Sequence, residues 1–587
     1  PGWIYQGNLN HVMGNLMLNV KLTASSGGFG LDPRGSDINP DTGHNEGNDW
    51  LFFFNSSVGR YYGGSLYDYS TYRNSHSLSL AGNYFAEGIL GADHEIRFGV
   101  DYYTSGTTSQ TLYPNQRITA FHNRETHSWP EVWMIPDTYF DVSLDAISFY
   151  LSDTASFGRL TVNIGIRYDK ESPKLNGSKQ KAFTWYEPGT IYHGTTPPIV
   201  AHDLRALDLA PKDPGVFLST ISPRAAFTYD ISGDGKNVVK LSASRYGSPG
   251  GYNLAVRLFH YREIQFPWND INGDEVPNYN EIDWNNSFWN NLMFADTDGY
   301  RNVSYDPDYN TDLLDEYTIS FEKEIFEDFG VSITGFYKKI HNLSTTLGVM
   351  PDGTIETKDN WYEYDIFTFD NGDIVPVYGQ KVNPIGEYYT NYTKTYDSYT
   401  AIQLILSKKL SRKWMLDASF TYMDWKRHLD ASETLNMNNF DFLNEGVVAS
   451  GRGVNSRWQA KLSGLAQLPW GLNFTGVFQA REGYVIAYRD YTPVLDSNPH
   501  WQVVYHSTKP TNKMGDDRLP AFWMLNLGLE KSFKISDTAA VTLFVDGYNI
   551  TNNTSTLQVN DIDGSSVDVI QRVLNPGIFQ FGVRVKF

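Results

Sequence analysis

Hydrophobic and polar positions alternate with period two in one segment of the chain after another. Leu16, Leu18, Val20 and Leu22 interleave with Met17, Asn19, Lys21 and Thr23, and Leu160, Val162, Ile164, Ile166 and Tyr168 interleave with Thr161, Asn163, Gly165, Arg167 and Asp169. The same alternation recurs at 96–102, 239–243, 317–321, 414–422, 525–529 and 541–545. Strand side chains point alternately to opposite faces, so each segment is predicted to be a strand with one apolar and one polar face. The last eleven residues follow the rule: Phe579, Phe581, Val583, Val585 and Phe587 share one face, and Gln580, Gly582, Arg584 and Lys586 the other. The template fits about 18 strands. The count is ambiguous by one between Leu51 and Phe85, where the parity of turns and loops fails.

The connections fall into two classes. Short ones carry turn residues: Asp230 to Lys236, Lys409 to Lys413, Leu468 to Gly471 and Ile535 to Thr538. Between them lie long polar stretches, at 104–137, 170–220, 247–312, 340–395, 425–455, 481–520 and 551–575. A compact soluble domain rarely holds so many long loops. Tight turns at one end and long loops at the other describe an antiparallel transmembrane β-barrel with periplasmic turns and extracellular loops, and hence a multi-pass protein of the bacterial outer membrane. The strand at 577–587 is predicted to close such a barrel, by pairing with a strand upstream of Pro1 or with Trp3 to His11.

Composition narrows this further. No run of eighteen apolar residues occurs, which excludes transmembrane helices but not a barrel, whose strands alternate. Aromatic residues make up 15% of the chain, an excess that girdles at the two membrane interfaces would use, with outer-membrane lipid and lipopolysaccharide as partners. Lys and Arg number 47 against 67 Asp and Glu, a net charge of −20, so nucleic acid is not an expected partner. With 0 cysteines there is no disulfide framework, thiolate metal site or Cys nucleophile. No signal peptide is visible, and Pro1 reads as a processed or trimmed start.

Several stretches resemble the TonB-dependent outer-membrane receptors. Residues 149–169, FYLSDTASFGRLTVNIGIRYD, are similar to that family's strand pair ending in Gly-x-Arg-Tyr-Asp. HEIRFGVDYY at 94–103 resembles its strand after a Gly-rich turn. Ser222-Pro-Arg-Ala with Tyr229 to Lys236 resembles its PR…YD…GDGK hairpin, and FVDGYNITN at 544–552 its penultimate strand. Phe587 matches the family's terminal aromatic, and the flavour is closest to the large Oar-like receptors. The resemblance implies a barrel of about 22 strands, preceded by a plug domain and a TonB box. Neither is recognisable within residues 1–587, which read as barrel throughout, so both are expected upstream of residue 1.

The sharpest local motif runs from Asp270 to Glu281. Asp270, Asn272, Asp274, the Val276 carbonyl, Asn278 and a bidentate Glu281 occupy the ligand positions of a calcium loop. Glu275 replaces the usual glycine, Pro277 follows, and no helix pair flanks the loop. The two readings are a free Ca2+ loop and an acidic surface loop. Nearby Trp268, Trp284, Phe288 and Trp289 suit either ligand stacking or interface anchoring. Arg167, Asp169, Lys240 and Arg584 face the polar interior, where they could line a path or simply hydrogen-bond. Catalytic patterns are lacking. His94-Glu95 has Phe98 where a zincin needs its second histidine, Gly233-Asp-Gly-Lys236 lacks phosphate-loop spacing, and His122 and His127 sit five apart in a loop.

The expectation is therefore a receptor, not an enzyme, importing a nutrient across the outer membrane. It would bind an extracellular ligand through its loops and draw energy from the TonB complex through an N-terminal region. The alternative is a structural, adhesion or secretion-related barrel of the Oar type.

Overall fold

The computed structural model describes residues 2–31, 67–112, 137–180, 208–259, 302–362, 384–430, 455–486, 517–560 and 568–587, with shorter pieces of the intervening loops. Seventeen strands form one continuous wall. They are β1 (Trp3–Met13), β2 (Leu16–Leu31), β3 (Asp68–Ile89), β4 (Ala92–Leu112), β5 (Thr138–Phe157), β6 (Leu160–Gln180), β7 (Leu218–Asp230), β8 (Asn237–Gly247) and β9 (Leu313–Phe326). The remainder are β10 (Phe329–His341), β11 (Tyr396–Ser411), β12 (Trp414–His428), β13 (Trp458–Leu468), β14 (Leu472–Arg481), β15 (Phe522–Lys534), β16 (Ala540–Tyr548) and β17 (Ile578–Lys586). Each pairs antiparallel with the next. Leu207–Leu209 and Gly446–Val447 extend the wall locally to give the 19-stranded sheet.

The ambiguity before residue 90 resolves to one long strand, β3. Phe52–Asn55 and Arg60–Gly63 pair with each other in a separate sheet, where Phe52–Asn55 also lies parallel to Ile118–His122. A run of three consecutive phenylalanines carries no period-two alternation, so the sequence could not assign it to either face.

Eight tight turns join β1 to β2, β3 to β4 and so on to β15 and β16, all at one end, while long connections occupy the other. Hairpin turns that match strand twist need positive φ, which Gly14 and Gly158 supply without strain, and which Arg412 and Lys413 adopt despite their side chains. In the β7–β8 turn, the Asp230 carboxylate accepts the Gly233 N–H at 2.8 Å and the Gly235 N–H at 2.7 Å, folding the turn on itself.

The face assignment follows the alternation. Ile164 is 56% exposed, Leu543 47% and Phe581 78%, and large apolar side chains stay exposed on the same face of nearly every strand. A water-facing belt of that size would forfeit about 1.5–3 kcal/mol per large side chain, whereas hydrocarbon removes the cost. From Ile96 to Tyr102 the apolar face runs about 20 Å along β4, which at the tilt of a barrel strand covers over half the height of the lipid band. Beyond it β3 to β6, at 20 to 22 residues each, continue with polar faces past the membrane.

Gly582 is the one small residue on the inward face of β17, because the Phe544 ring from β16 lies across it and a Cβ there would overlap the ring. Among the described residues no backbone ladder joins β17 to β1. With seventeen strands each antiparallel to its neighbour, these two outer strands run in the same direction.

Candidate functional site

The inner face of the wall is polar and internally paired. Arg167 on β6 reaches Asp101 on β4 at 3.1 Å and Asp169 at 2.8 Å, Ser148 donates to Asp169 at 2.6 Å, and Ser79 donates to Asp101 at 2.7 Å. Lys240 pairs with Glu322 at 2.7 Å, and the Arg584 guanidinium lies 5.8 Å from the centre of the Phe544 ring. The four interior residues singled out in the sequence thus line the lumen; Arg167 and Lys240 make cross-strand ion pairs that brace it, and Asp169 pairs with Arg167 along the same strand.

Above the membrane band, the β8–β9 loop folds into the lumen. Glu171 on the inner face of β6 accepts the backbone N–H of Gly250 at 2.9 Å and of Gly251 at 3.1 Å. The Tyr252 hydroxyl donates to Ser105 on β4 at 2.6 Å. The following helical turn, Asn253–Val256, and Leu258 press Ala255 and Leu258 against Val142, Leu175 and Leu209 in a fully buried cluster. Leu254 enters a second cluster with Leu218, Tyr309 and Tyr389. The loop is held by hydrogen bonds on one flank and apolar packing on the other, so it narrows the outer mouth as a fixed insert.

Two further loops are tied to it. Val303–Tyr305 from the β8–β9 loop pairs parallel with Gly386–Asn391 from the β10–β11 loop, which pairs antiparallel with Ser344–Val349. Tyr305 stacks on Tyr389 with centroids 5.5 Å apart, its hydroxyl donates to the Leu254 carbonyl at 2.9 Å, and Arg257 lies over the Tyr389 ring at 3.9 Å. Burial pushes the Tyr305 phenol well up, only partly offset by the nearby Arg257 charge, so it stays neutral. The Asp306 carboxyl sits below the usual range because the Thr390 hydroxyl donates to it at 2.7 Å, with a second bond from the Asp308 N–H. Burial instead raises the Asp312 carboxyl, although it accepts the Ser344 N–H.

A cavity of about 470 Å³ lies between this insert and the inner faces of β2 to β5. Aromatic rings, Tyr69, Tyr103, Phe140 and Tyr252, alternate with serine and threonine hydroxyls around it, and Arg73 is the one charged side chain among the described residues that line it. A smaller cavity of about 180 Å³, beside the Glu171 clasp, is acidic through Asp169 and Glu171.

Of the calcium-loop residues, Asp270, Asn272, Asp274, Val276 and Asn278 lie outside the described residues, as do the side chains of Trp268, Trp284, Phe288 and Trp289. Glu281 is described and is 7% exposed. Its Oε1 accepts the Ile271 N–H at 3.1 Å, and its carbonyl accepts the Asn269 N–H at 2.8 Å. The Asp283 N–H donates to the Pro267 carbonyl at 2.9 Å, so the two ends of the twelve-residue stretch are drawn together. Among the described residues no cluster of three metal-binding side chains occurs. His94 pairs with Asp153 at 2.7 Å, and His122 and His127 fall outside the side chains described.

A family model for the TonB dependent receptor-like β-barrel matches residues 2–550. The chain belongs to that family. No curated protein matches it. Among solved structures, the receptor barrel is similar to the outer membrane transporter YddB from Escherichia coli, with a TM-score of 0.53 and 12% identity, covering 100% of this chain and 62% of that one. It is also similar to the pyoverdine outer membrane receptor FpvA from Pseudomonas aeruginosa PAO1, bound to pyoverdine, with a TM-score of 0.51 and 12% identity over 99% of this chain and 61% of that one. The ferric-catecholate import receptor Fiu from E. coli K12 aligns with a TM-score of 0.50 and 10% identity, over 100% and 64% of the two chains. The receptor barrel thus spans about three fifths of the length of the structures it matches and shares their fold, and its family is one of the bacterial outer membrane.

The insert's anchors were not legible beforehand. Glu171 and Tyr252 sit in stretches that read only as polar loop, and the one available signal was the Gly250-Gly251 pair, which lets backbone approach a carboxylate closely.

Proposed function

We propose that this barrel is the wall of an outer-membrane importer that captures a nutrient with its outer loops and passes it inward with energy supplied through TonB. The observation that carries the reading is the inserted β8–β9 loop. Glu171 and Ser105 on the wall hold it inside the mouth, where it bounds a ligand-sized cavity. A surface or purely structural barrel has no need to place a cavity of this size beneath a fixed loop.

In this reading a plug domain and TonB box lie N-terminal to residue 1 and couple the barrel to TonB. Calcium belongs to the same proposal, held by Asp270, Asn272, Asp274, the Val276 carbonyl, Asn278 and Glu281. It is supported by the burial of Glu281, by its carboxylate's bond to the Ile271 N–H, and by the drawn-in ends of the loop. The ion would neutralise the carboxylates of that stretch and fix the outer loop.

The test compares growth of the host, a deletion of this gene and a TonB deletion on a panel of sole iron and sole carbon sources. The importer reading expects both deletions to lose growth on the same nutrient. Unimpaired growth of the gene deletion on every source, with a surface-adhesion defect independent of TonB, would favour the structural Oar-type reading instead.

A further inference from the structure

The larger luminal cavity has a chemistry of its own. Its wall is built from the inward faces of β2 to β5 above the membrane band, and Tyr252 from the inserted loop forms its roof. The hydroxyls come in pairs: Ser25 and Ser75 across β2 and β3 at 2.8 Å, Ser109 on β4 with Thr71 behind the cavity wall at 3.0 Å, and Tyr252 of the inserted loop with Ser105 at 2.6 Å. A hydroxyl carries one donor and two acceptor lone pairs, so each pair retains capacity for a further partner. Between them stand the rings of Tyr69, Tyr103 and Phe140.

The charge is as distinctive. Arg97, Arg167, Arg245, Arg427, Arg457 and Arg518 each meet a carboxylate within 3.2 Å, and Arg224, Arg257, Arg481 and Arg584 lie against aromatic rings. Among the described residues Arg73 makes no ion pair and no carboxylate lines its cavity, in a chain whose net charge is −20. A lone guanidinium in a carboxylate-free pocket attracts an anion and presents a planar fork to a carboxylate or sulfate. Hydroxyl pairs alternating with aromatic faces suit a ring that is polar at its edges and apolar on its faces, which describes a sugar.

We propose that this cavity binds an anionic saccharide, with its acidic group on Arg73, its hydroxyls on the serine and threonine pairs and its ring against Tyr103. The assignment rests on the importer reading and names the substrate class of that site.

The test is calorimetric titration of the purified, detergent-solubilised full-length protein with trigalacturonate, maltotriose and ferric tris-catecholate. Trigalacturonate is expected to bind saturably and maltotriose at least tenfold more weakly. Arg73→Gln should weaken trigalacturonate at least tenfold, Arg73→Lys should restore part of the loss, and Tyr103→Leu should weaken both sugars. Because Arg73 braces no described element, the variants should keep the heat-modifiable gel mobility of a folded barrel. The proposal fails if trigalacturonate does not bind, if Arg73→Gln binds it unchanged, if maltotriose binds equally, or if ferric catecholate takes the site instead. Binding needs no TonB, so TonB-dependent growth that persists while trigalacturonate fails to bind sinks this assignment and leaves the importer reading standing.

Discussion

Asn310 is bonded to Ser219 as one strand is to another: its Oδ1 accepts the Ser219 N–H at 3.0 Å and its Nδ2 donates to the Ser219 carbonyl at 2.8 Å. The Asn310 N–H in turn donates to the Asn391 side chain at 2.8 Å, whose Nδ2 returns a bond to the Asn310 carbonyl at 2.8 Å. One amide thereby fastens the base of the β8–β9 loop to β7, and the next fastens it to the β10–β11 loop. Asn310→Ala leaves the Ser219 backbone groups without these partners, a cost of about 1–3 kcal/mol. Hydrogen exchange at Ser219 is expected to accelerate while exchange in the membrane band stays as in the wild type. Unchanged protection at Ser219 would show that the latch carries no stability.

The lipid-facing assignment makes a paired prediction. Lys placed at Ile164 or Leu543 meets hydrocarbon and is expected to cost about 2–4 kcal/mol near mid-membrane. Lys at Asn163 or Thr542 meets the polar lumen, where their present partners are Thr154 and Ser532, and is expected to be tolerated. Folding equilibria in lipid vesicles measure all four, and equal tolerance would overturn the facing.

The turn at 393–395 should open in acid. Burial disfavours the Glu433 anion, but hydrogen bonds from Thr393, Thr395 and Lys394 outweigh it and hold the carboxyl below the usual range. The bonds are short: Oε1 accepts the Thr393 N–H at 2.7 Å and the Lys394 N–H at 2.9 Å, and Oε2 accepts the Thr395 N–H at 2.8 Å. A depressed carboxyl contributes stability that is fully present above its unfolded pKa of about 4.3 and is lost as pH falls through its lower folded value. Amide exchange at 393–395, corrected for its intrinsic pH dependence, should therefore be flat from pH 7 to about 5 and rise below about 4.3. Glu433→Gln should exchange faster at neutral pH and lose the acid transition.

Calcium is tested at the outer loop. Titration of the intact protein with CaCl2 is expected to give saturable heats that Asp270→Ala abolishes and Glu281→Gln weakens by an order of magnitude or more, since the twelfth position supplies two oxygens to the ion. Indistinguishable heats for wild type and Asp270→Ala would leave an ordinary acidic loop.

The insert itself can be loosened. Glu171→Ala removes the acceptor for two backbone N–H groups at Gly250 and Gly251. A fluorophore on Val256→Cys, in a chain with no native cysteine, should then gain rotational freedom, whereas Glu322→Ala, on a distant part of the wall, should leave it unchanged.

The wall was written in the sequence. Leu160 to Tyr168 and Phe579 to Phe587 declared their lipid and lumen faces, because a strand's two faces are set by neighbours two residues apart and each face meets a single solvent. Turns and loops were equally plain, since positive-φ residues such as Gly158 and Gly233 mark where the chain must reverse at once. What only the tertiary structure decided was the company kept above the membrane. Glu171 finds Gly250 across 79 residues and Asn310 finds Ser219 across 91, while Arg73 shares a cavity with Tyr252. Loops have no period that fixes which face they present, and their partners are chosen by where the folded wall brings them in space, so neither the insert nor its cavity could be read from the order of residues.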